Sequence, residues 1–389
     1  MRKVLWLASW YPNEADPFSG DFIKRQAEAV SVFQPLKIIF TGKYSPEAVH
    51  NKLLPGFFSE NLQEYILYYP PYGTESSFLS RFFSLRDYFK KHLAAIKQLQ
   101  LNHELPDIVH VQVAMKAGLI ALYLKWKYKI PYVLTEHWSG YYSQSRDSLF
   151  KKSFLTRYFT RLIIKKADRF LPVSEALGNQ IMHHWVKVPF QKIPNVVNTR
   201  FFFPSENPPE GIFRLIHIST LQYPKNPEGI IRSFSGLLKL GFQAELVMVG
   251  PLNTVLHDYA STVGVPPGKI LFTGEIPYEQ VGAELRKSFA LVMFSEYENM
   301  PCVAIEALCT GIPVIATRVG GIPEIIQEEN GILINPGNEK ELLEAMIAMM
   351  RNHSFYDRVK ISRQAAARFS YETIGKEIIQ VYDSVLAKE

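Results

Sequence analysis

Glu298 and Glu306 stand on either side of the start of a short helical stretch, Lys225 follows an apolar run by a short loop, and His137 directly follows another. A carboxylate can take one proton from each of two neighbouring hydroxyls, and an ammonium can offset the charge on a phosphate or on an oxygen where charge develops. Gly20 leaves room for backbone amides to approach a ligand, and Gly320 and Gly321 form a glycine pair in a later loop. Each residue also has an ordinary use. A glutamate in a first turn complements the helix dipole, a lysine is a common surface residue, a turn glycine relieves the backbone, and a histidine after a strand serves as a hydrogen-bonded structural group.

The elements that must position them read clearly. Residues 289–295 (FALVMFS) and 312–317 (IPVIAT) are apolar runs of strand length, so both read as buried strands of a parallel sheet. Between them the spacing predicts a helix. Asn299 suits its cap, Pro301 its first turn and Gly311 its C-terminal end, with Val303, Ala304, Ala307 and Leu308 toward the core and Glu306 away from it. Ligands of open parallel sheets bind outside the carboxyl ends of the strands, which places Glu298 and the first helical amides at a crevice.

Further runs (KVLWLAS, LKIIFT, DIVHVQ, PYVLTE, RFLPVS, then FRLIHIS, AELVMVG, KILFTG and GILINP) alternate with helical stretches. This pattern predicts an α/β protein of two Rossmann-like, doubly wound parallel sheets facing each other across a ligand cleft. The proline-rich PSENPPEG at 204–211 is the expected linker, giving domains 1–205 and 206–370. Ser174 reads as the cap of the helix that begins with Glu175, and Asn195 and Asn198 as domain-joining structure.

A chain of 389 residues, 47% hydrophobic, is natural for two domains with substantial cores. Two cysteines, Cys302 and Cys309, make neither a disulfide framework nor a zinc site and fit a reducing cytosol. No segment reads as a signal peptide or a membrane span, so a soluble or peripheral protein is expected. Net charge is +6, split as 27 basic against 15 acidic residues over 1–205 (+12), leaving −6 for 206–389. Within the basic half, RDSLFKKSFLTRYFTRLIIKKADR (146–169) reads as one basic amphipathic helix, either a solvated face or a contact for an anionic membrane surface. The basic half carries no recognised nucleic-acid motif, and no nucleic-acid partner is expected. Neither GxGxxG nor GxxxxGK[ST] occurs, which removes the usual nicotinamide and ATP motifs.

The segment EYENMPCVAIEALCTGIPVIATRVGGIPEI combines a Glu, seven residues, a Glu-Ala pair, a Gly-x-Pro-Val strand and a Gly-Gly-x-Pro-Glu loop. It resembles the signature of retaining nucleotide-sugar glycosyltransferases of GT-B architecture, the group 1 or family 4 type. SWYPNEADPFSGDFIKRQAEAV, ADRFLPVSEAL, IPNVVNTRFFFP and STLQYPKN resemble further family segments, so the likeness runs nearly end to end.

That resemblance implies transfer of a hexose-type sugar from a nucleoside diphosphate to a hydroxyl acceptor with retained anomeric configuration. It assigns Glu306 to the ribose hydroxyls, Glu298 with the amides around Asn299, Met300 and Pro301 to the sugar or phosphate, and Lys225 to the diphosphate. Gly20 would lie by the diphosphate or the acceptor, His137 near the reacting carbon with Glu136 and Trp138 as next acceptor contacts, and Glu324 near the donor. The main chain at Ile276 would hold the nucleobase edge. At Thr220 the family usually has arginine, so the phosphate charge falls to Lys225 alone or with Arg318, Lys24 or Arg25. No metal and no cofactor beyond the sugar nucleotide are expected. Residues 371–389 would cross back to the first domain as a helix. The basic half suggests a lipid-linked or polysaccharide acceptor. Two alternatives stand beside this reading: a nucleotide-sugar epimerase, and a carbohydrate- or membrane-binding module that has lost catalysis.

Overall fold

The computed structural model describes residues 2–43, 53–55, 61–73, 77–207 and 209–387. In chain order the elements are β1 (Val4–Ala8), α1 (Asp21–Ser31), β2 (Leu36–Lys43), β3 (Leu53–Pro55), β4 (Leu62–Tyr69), α2 (Phe78–Leu101), β5 (Ile108–Gln112), α3 (Lys116–Tyr128), β6 (Tyr132–Glu136), α4 (Phe154–Lys166), β7 (Arg169–Pro172) and α5 (Glu175–His184). They continue with β8 (Phe213–Ile218), α6 (Pro227–Lys239), β9 (Ala244–Val249), α7 (Thr254–Thr262), β10 (Ile270–Gly274), α8 (Tyr278–Arg286), β11 (Ala290–Met293), α9 (Cys302–Cys309), β12 (Val314–Thr317) and β13 (Gly331–Ile334). Helices α10 (Glu339–Asn352), α11 (Arg358–Phe369) and α12 (Tyr371–Leu386) close the chain.

Two compact units result, Met1–Val196 with Tyr371–Glu389, and Val197–Ser370. The division falls ahead of the proline-rich 204–211 segment, because Val197 already pairs with Ser370 and donates its N–H to Phe369 O at 2.8 Å. Pro208 of the expected linker, and Lys388 and Glu389 of the expected final helix, lie outside the described residues.

In the first unit the strand order is β3-β4-β2-β1-β5-β6-β7, parallel except for the β3–β4 edge pair. Strands β1, β5 and β6 are buried at every position, as expected of a sheet covered on both faces. The β3 and β4 strands were not among the expected runs. In β4 the inward position 64 holds a glutamate, which breaks the apolar alternation; buried Glu64 accepts from the Tyr11 hydroxyl and lies 3.5 Å from Lys24 Nζ. The final helix belongs to this unit, where Tyr382 hydroxyl receives the Trp6 indole N–H at 2.9 Å and meets His110 Nδ1 at 2.7 Å. Ser174 Oγ caps α5 by accepting from Leu177 N–H at 3.1 Å.

The second unit has the order β10-β9-β8-β11-β12-β13, all parallel. Its core packs Leu215, Phe234, Leu246, Val292, Phe294 and Met346 between sheet and helices. Fully burying each large side chain stabilises the unit by roughly 1.5–3 kcal/mol.

Candidate active site

Chain order in the second sheet runs outward from β8 through β9 to β10, then returns to the other side of β8 for β11, β12 and β13. The direction of winding therefore reverses between β8 and β11, and loops leaving their carboxyl ends diverge and open a crevice there. Lys225 lies in the loop after β8 and Glu298 in the loop after β11, and they meet: Nζ donates to Oε1 at 2.5 Å.

A relay of hydrogen bonds sets the loop after β8. Val292 O, on β11, can only accept, so His217 Nδ1 at 2.8 Å carries the proton and Nε2 accepts from Ser219 Oγ at 2.7 Å. Ser219 Oγ in turn accepts Leu221 N–H at 2.9 Å. Burial, with Lys225 nearby, pushes the His217 pKa down to about 4, so the ring is neutral at neutral pH. Asn226 then caps α6, accepting Gly229 N–H at 3.1 Å ahead of Pro227. The Asn-Pro pair is the sequence signal for this helix start, just after Lys225.

On the other side, Ser295 Oγ donates to the same Glu298 oxygen at 2.9 Å, and Thr317 Oγ1 fixes Ser295 by donating to its carbonyl at 2.7 Å. Asn299 O accepts Gly321 N–H at 2.8 Å. Gly320, with φ of +50°, passes so close that a Cβ there would lie 1.6 Å from Glu298 O. The Gly-Gly loop thus braces the Glu298 backbone by close approach. Glu306 sits in the middle of α9, buried together with Ala304, Ile305, Ala307 and Leu308.

The start of α9 differs from the expectation. The helix begins at Cys302 with Pro301 in the cap position, and Asn299 and Met300 belong to the buried loop before it. Proline has no N–H to offer and its ring fixes φ, so the turn tightens only beyond it. Gly311 follows the C-terminal end as expected, while Val303 is only half-buried. Thr220 is exposed after β8, Ile276 is half-buried between β10 and α8, and Glu324 ends the 3-10 turn Ile322–Glu324, where its carbonyl accepts from Arg368 at 3.1 Å. Arg318 is exposed after β12. Lys24 and Arg25 belong to the first unit, against Glu64 and Asp21.

In the first unit the winding reverses between β1 and β5. Gly20 caps α1 there with φ of +64°, and a Cβ would lie 2.6 Å from the Trp10 carbonyl carbon. His137, after β6, is buried; its Nε2 meets Gln112 Oε1 at 3.0 Å and its ring lies 4.7 Å from that of Phe22. Burial drives its pKa down to about 3, opposed by a bond to Asn195. Glu136 cannot serve as an acceptor contact. Its fully buried carboxylate accepts from Ala114 N–H at 3.0 Å, His137 and Trp138 N–H at 2.9 Å each, and Tyr141 hydroxyl at 2.8 Å. It holds the loops after β5 and β6 together, a role that local sequence does not announce.

The stretch 146–169 is not one helix. Ser148 Oγ caps a 3-10 turn at Leu149–Lys151 and Ser153 Oγ caps α4, which ends at Lys166, so two serines compete with the backbone and divide the run. Neither Cys302 nor Cys309 is in a disulfide, and burial beside Glu306 raises the Cys309 thiol. Among the described residues no group of three or more His, Cys, Asp or Glu could hold a metal ion, and no helix is long and apolar enough to cross a membrane. Cavities of about 210 and 350 Å³ in the first unit lie away from these loops, at the amino ends of β1, β2 and β4 and beneath α2.

Two doubly wound parallel sheets define the class of the fold, and the sequence comparisons say which enzymes share it. Residues 198–368 match the family of glycosyl transferases group 1, and residues 39–201 match glycosyltransferase family 4. The chain belongs to the group 1 glycosyltransferases and is an enzyme of that class. It is 25% identical to the putative teichuronic acid biosynthesis glycosyltransferase TuaC of Bacillus subtilis, over 96% of this chain and 93% of that one. It is 24% identical to the alpha-monoglucosyldiacylglycerol synthase of Streptococcus pneumoniae, over 80% and 73%. In structure it resembles sucrose-phosphate synthase from Thermosynechococcus elongatus, with a TM-score of 0.81, 19% identity and both chains fully covered. It also resembles Anabaena HepE in complex with UDP-glucose, with a TM-score of 0.71, 16% identity and coverage of 99% and 100%. These likenesses establish GT-B architecture, and the epimerase alternative finds no support in the comparisons.

Proposed function

We propose that this glycosyltransferase moves a hexose-type sugar from a nucleoside diphosphate to a hydroxyl acceptor with retention of anomeric configuration. The observation that carries the reading is the Lys225–Glu298 contact at the winding reversal of the second sheet. An ammonium has three protons, so Lys225 can keep Glu298 while reaching a diphosphate oxygen, and Glu298 keeps an oxygen for the sugar hydroxyls. Glu306 takes the ribose diol and the main chain at Ile276 the base. Asn299, Met300, Pro301 and Glu324 line the sugar and phosphates, Gly20 admits the diphosphate or acceptor closely, and His137 faces the reacting carbon as a neutral imidazole.

In the step itself the acceptor oxygen bonds to the anomeric carbon as the carbon–phosphate oxygen bond breaks. The departing phosphate takes the acceptor proton on the same face, and Lys225 offsets the charge left on the diphosphate, without a metal ion. The acceptor is a lipid-linked or polysaccharide glycan, and the enzyme works in the cytoplasm at the inner membrane face. Support comes from the basic first unit and from relatives named for teichuronic acid biosynthesis and for a glucosyldiacylglycerol synthase. A thermal-shift screen against UDP, GDP, ADP and dTDP and their sugars tests the donor site. One nucleotide series should stabilise the protein and Glu306→Ala should abolish that response. No response from any of them in the folded protein would overturn the assignment.

A further inference from the structure

Helix α4 is apolar on two opposite faces. Thr160, Ile163 and Ile164 turn inward and are buried, as Gly118 packing on Ile163 requires. On the other side, at the i, i+1, i+4, i+5 spacing of one helical face, Phe154 is 69% exposed, Leu155 64%, Tyr158 51% and Phe159 39%. Their rings touch one another, Phe154 to Tyr158 at 6.3 Å and Tyr158 to Phe159 at 5.4 Å. Phe150, in the 3-10 turn just before, is also exposed. Such a cluster contributes nothing to the fold while it stands in water, and contiguous exposed apolar patches mark interaction surfaces.

Charge says what covers it. Exposed Arg161, Lys165 and Lys166 share or border the same face, Lys151 stands in the preceding turn, and α4 has no acidic residue. The two flanking acids are already engaged, Asp147 by Lys152 and Asp168 by Lys125 at 2.7 Å. A two-fold contact of this face with itself would set basic groups against basic groups. An anionic bilayer offers both an apolar layer for the rings and negative headgroups for the rim.

We infer that the Phe150–Lys166 segment is a membrane-docking surface that seats Phe154, Leu155, Tyr158 and Phe159 in the interface of an anionic bilayer. The inference rests on the membrane-held acceptor proposed above and names the surface that meets the membrane. Topology adds a consequence. A crossover helix starts at the carboxyl end of one strand and returns to the amino end of the next, so the N-terminal turn of α4, with Phe154 and Leu155, lies on the same edge of the first sheet as Gly20 and His137. With the exposed face of α4 laid along the bilayer, that turn brings the membrane to the edge where an acceptor is expected, and Lys165 and Lys166 meet its headgroups at the other end of the helix.

Co-sedimentation tests it, using the full chain with vesicles of phosphatidylcholine alone and of phosphatidylcholine and phosphatidylglycerol in about equal parts. The protein should pellet only with the anionic vesicles. Lys165→Glu with Lys166→Glu should lower the partition coefficient by about 30-fold or more, from about 1 kcal/mol per basic residue. Phe154→Ser with Leu155→Ser should lower it by about tenfold or more. All these residues are exposed, and the nucleotide-induced thermal shift, measured on each variant, checks that the donor unit is intact. Equal binding to neutral vesicles, no binding, or undiminished binding by either variant would overturn the inference. So would a dimer in sedimentation equilibrium that the Phe154/Leu155 variant dissolves, since a second copy would then be the occupant. A missing nucleotide response with intact vesicle binding would instead count against the donor reading alone.

Discussion

Lys225 and Glu298 lie 73 residues apart in sequence and 2.5 Å apart in the structure, each delivered by the loop of a different strand at the point where the sheet reverses its winding. Both side chains are partly withdrawn from solvent, and Glu298 has a second donor in Ser295.

If this pair handles the diphosphate, Lys225→Ala should reduce the sugar-transfer rate by about 100- to 1000-fold, the scale of losing a fixed donor to developing charge. Stability should fall by about 1–3 kcal/mol, because Glu298 is buried and loses one donor while keeping Ser295. Steady-state kinetics beside thermal unfolding separates the roles. A variant with full rate and unchanged donor affinity would remove Lys225 from the reaction.

Gly320→Ala should act on the same site through the backbone. The new methyl would have to displace Glu298 O, and φ is positive, so a cost of roughly 3 kcal/mol or more is expected together with loss of the nucleotide thermal shift. Gly337→Ala is the control. It has φ of +72° and nothing within 4 Å, so it should cost only about 1 kcal/mol. Equal urea midpoints for the two variants would show that the close approach to Glu298 is unimportant.

Glu136→Ala removes the shared acceptor of four buried donors and should destabilise the first unit by about 3 kcal/mol or more. Urea unfolding followed by tryptophan fluorescence would report it through Trp138. A loss under about 1 kcal/mol would mean that the donors find other partners.

Four buried histidines predict a pH response. His92 and His217 are held near 4 and His110 and His137 near 3, in each case chiefly by burial. The unfolded chain takes up these protons below about pH 6.5 and the native protein does not, so stability is full above that value. It falls as pH drops toward the folded values, by about 1.4 kcal/mol per unit for each histidine. Glu136, raised by burial, works in the opposite direction, because the native state binds its proton first. The urea midpoint should be lower at pH 5 than at pH 7, and His110→Gln should flatten the slope. Identical midpoints at the two pH values would contradict the burial of these rings as neutral groups.

Where sequence reading stopped can be traced to particular residues. Strands β1, β5, β6, β8, β9, β11 and β12 are apolar runs with turn residues at both ends, and a run buried on both faces needs no partner to be recognised. Strand β4 was missed because Glu64 occupies an inward position, tolerable only because Tyr11 and Lys24 meet it there. The 146–169 run was read as one helix because its periodicity persists across Ser148 and Ser153, whose hydroxyls nevertheless cap separate segments. The sequence offers Glu136 as an acceptor contact because three of its four donors are backbone N–H groups, which leave no trace in residue type.

Local composition and periodicity by themselves determined two wound sheets, the loops at their strand ends, and the glutamates, lysine and histidine that those loops carry. These features depend on interactions between residues close in the chain. Only tertiary structure decided that β11 lies beside β8, and with it that Lys225 meets Glu298, that Gly320 presses on the Glu298 carbonyl, and that Glu136 is spent on internal donors. It also decided which of the two apolar faces of α4 found a core and which was left in water. The reason is physical: such contacts form through the packing of segments far apart in sequence, and a residue's neighbours in the chain do not specify its neighbours in space.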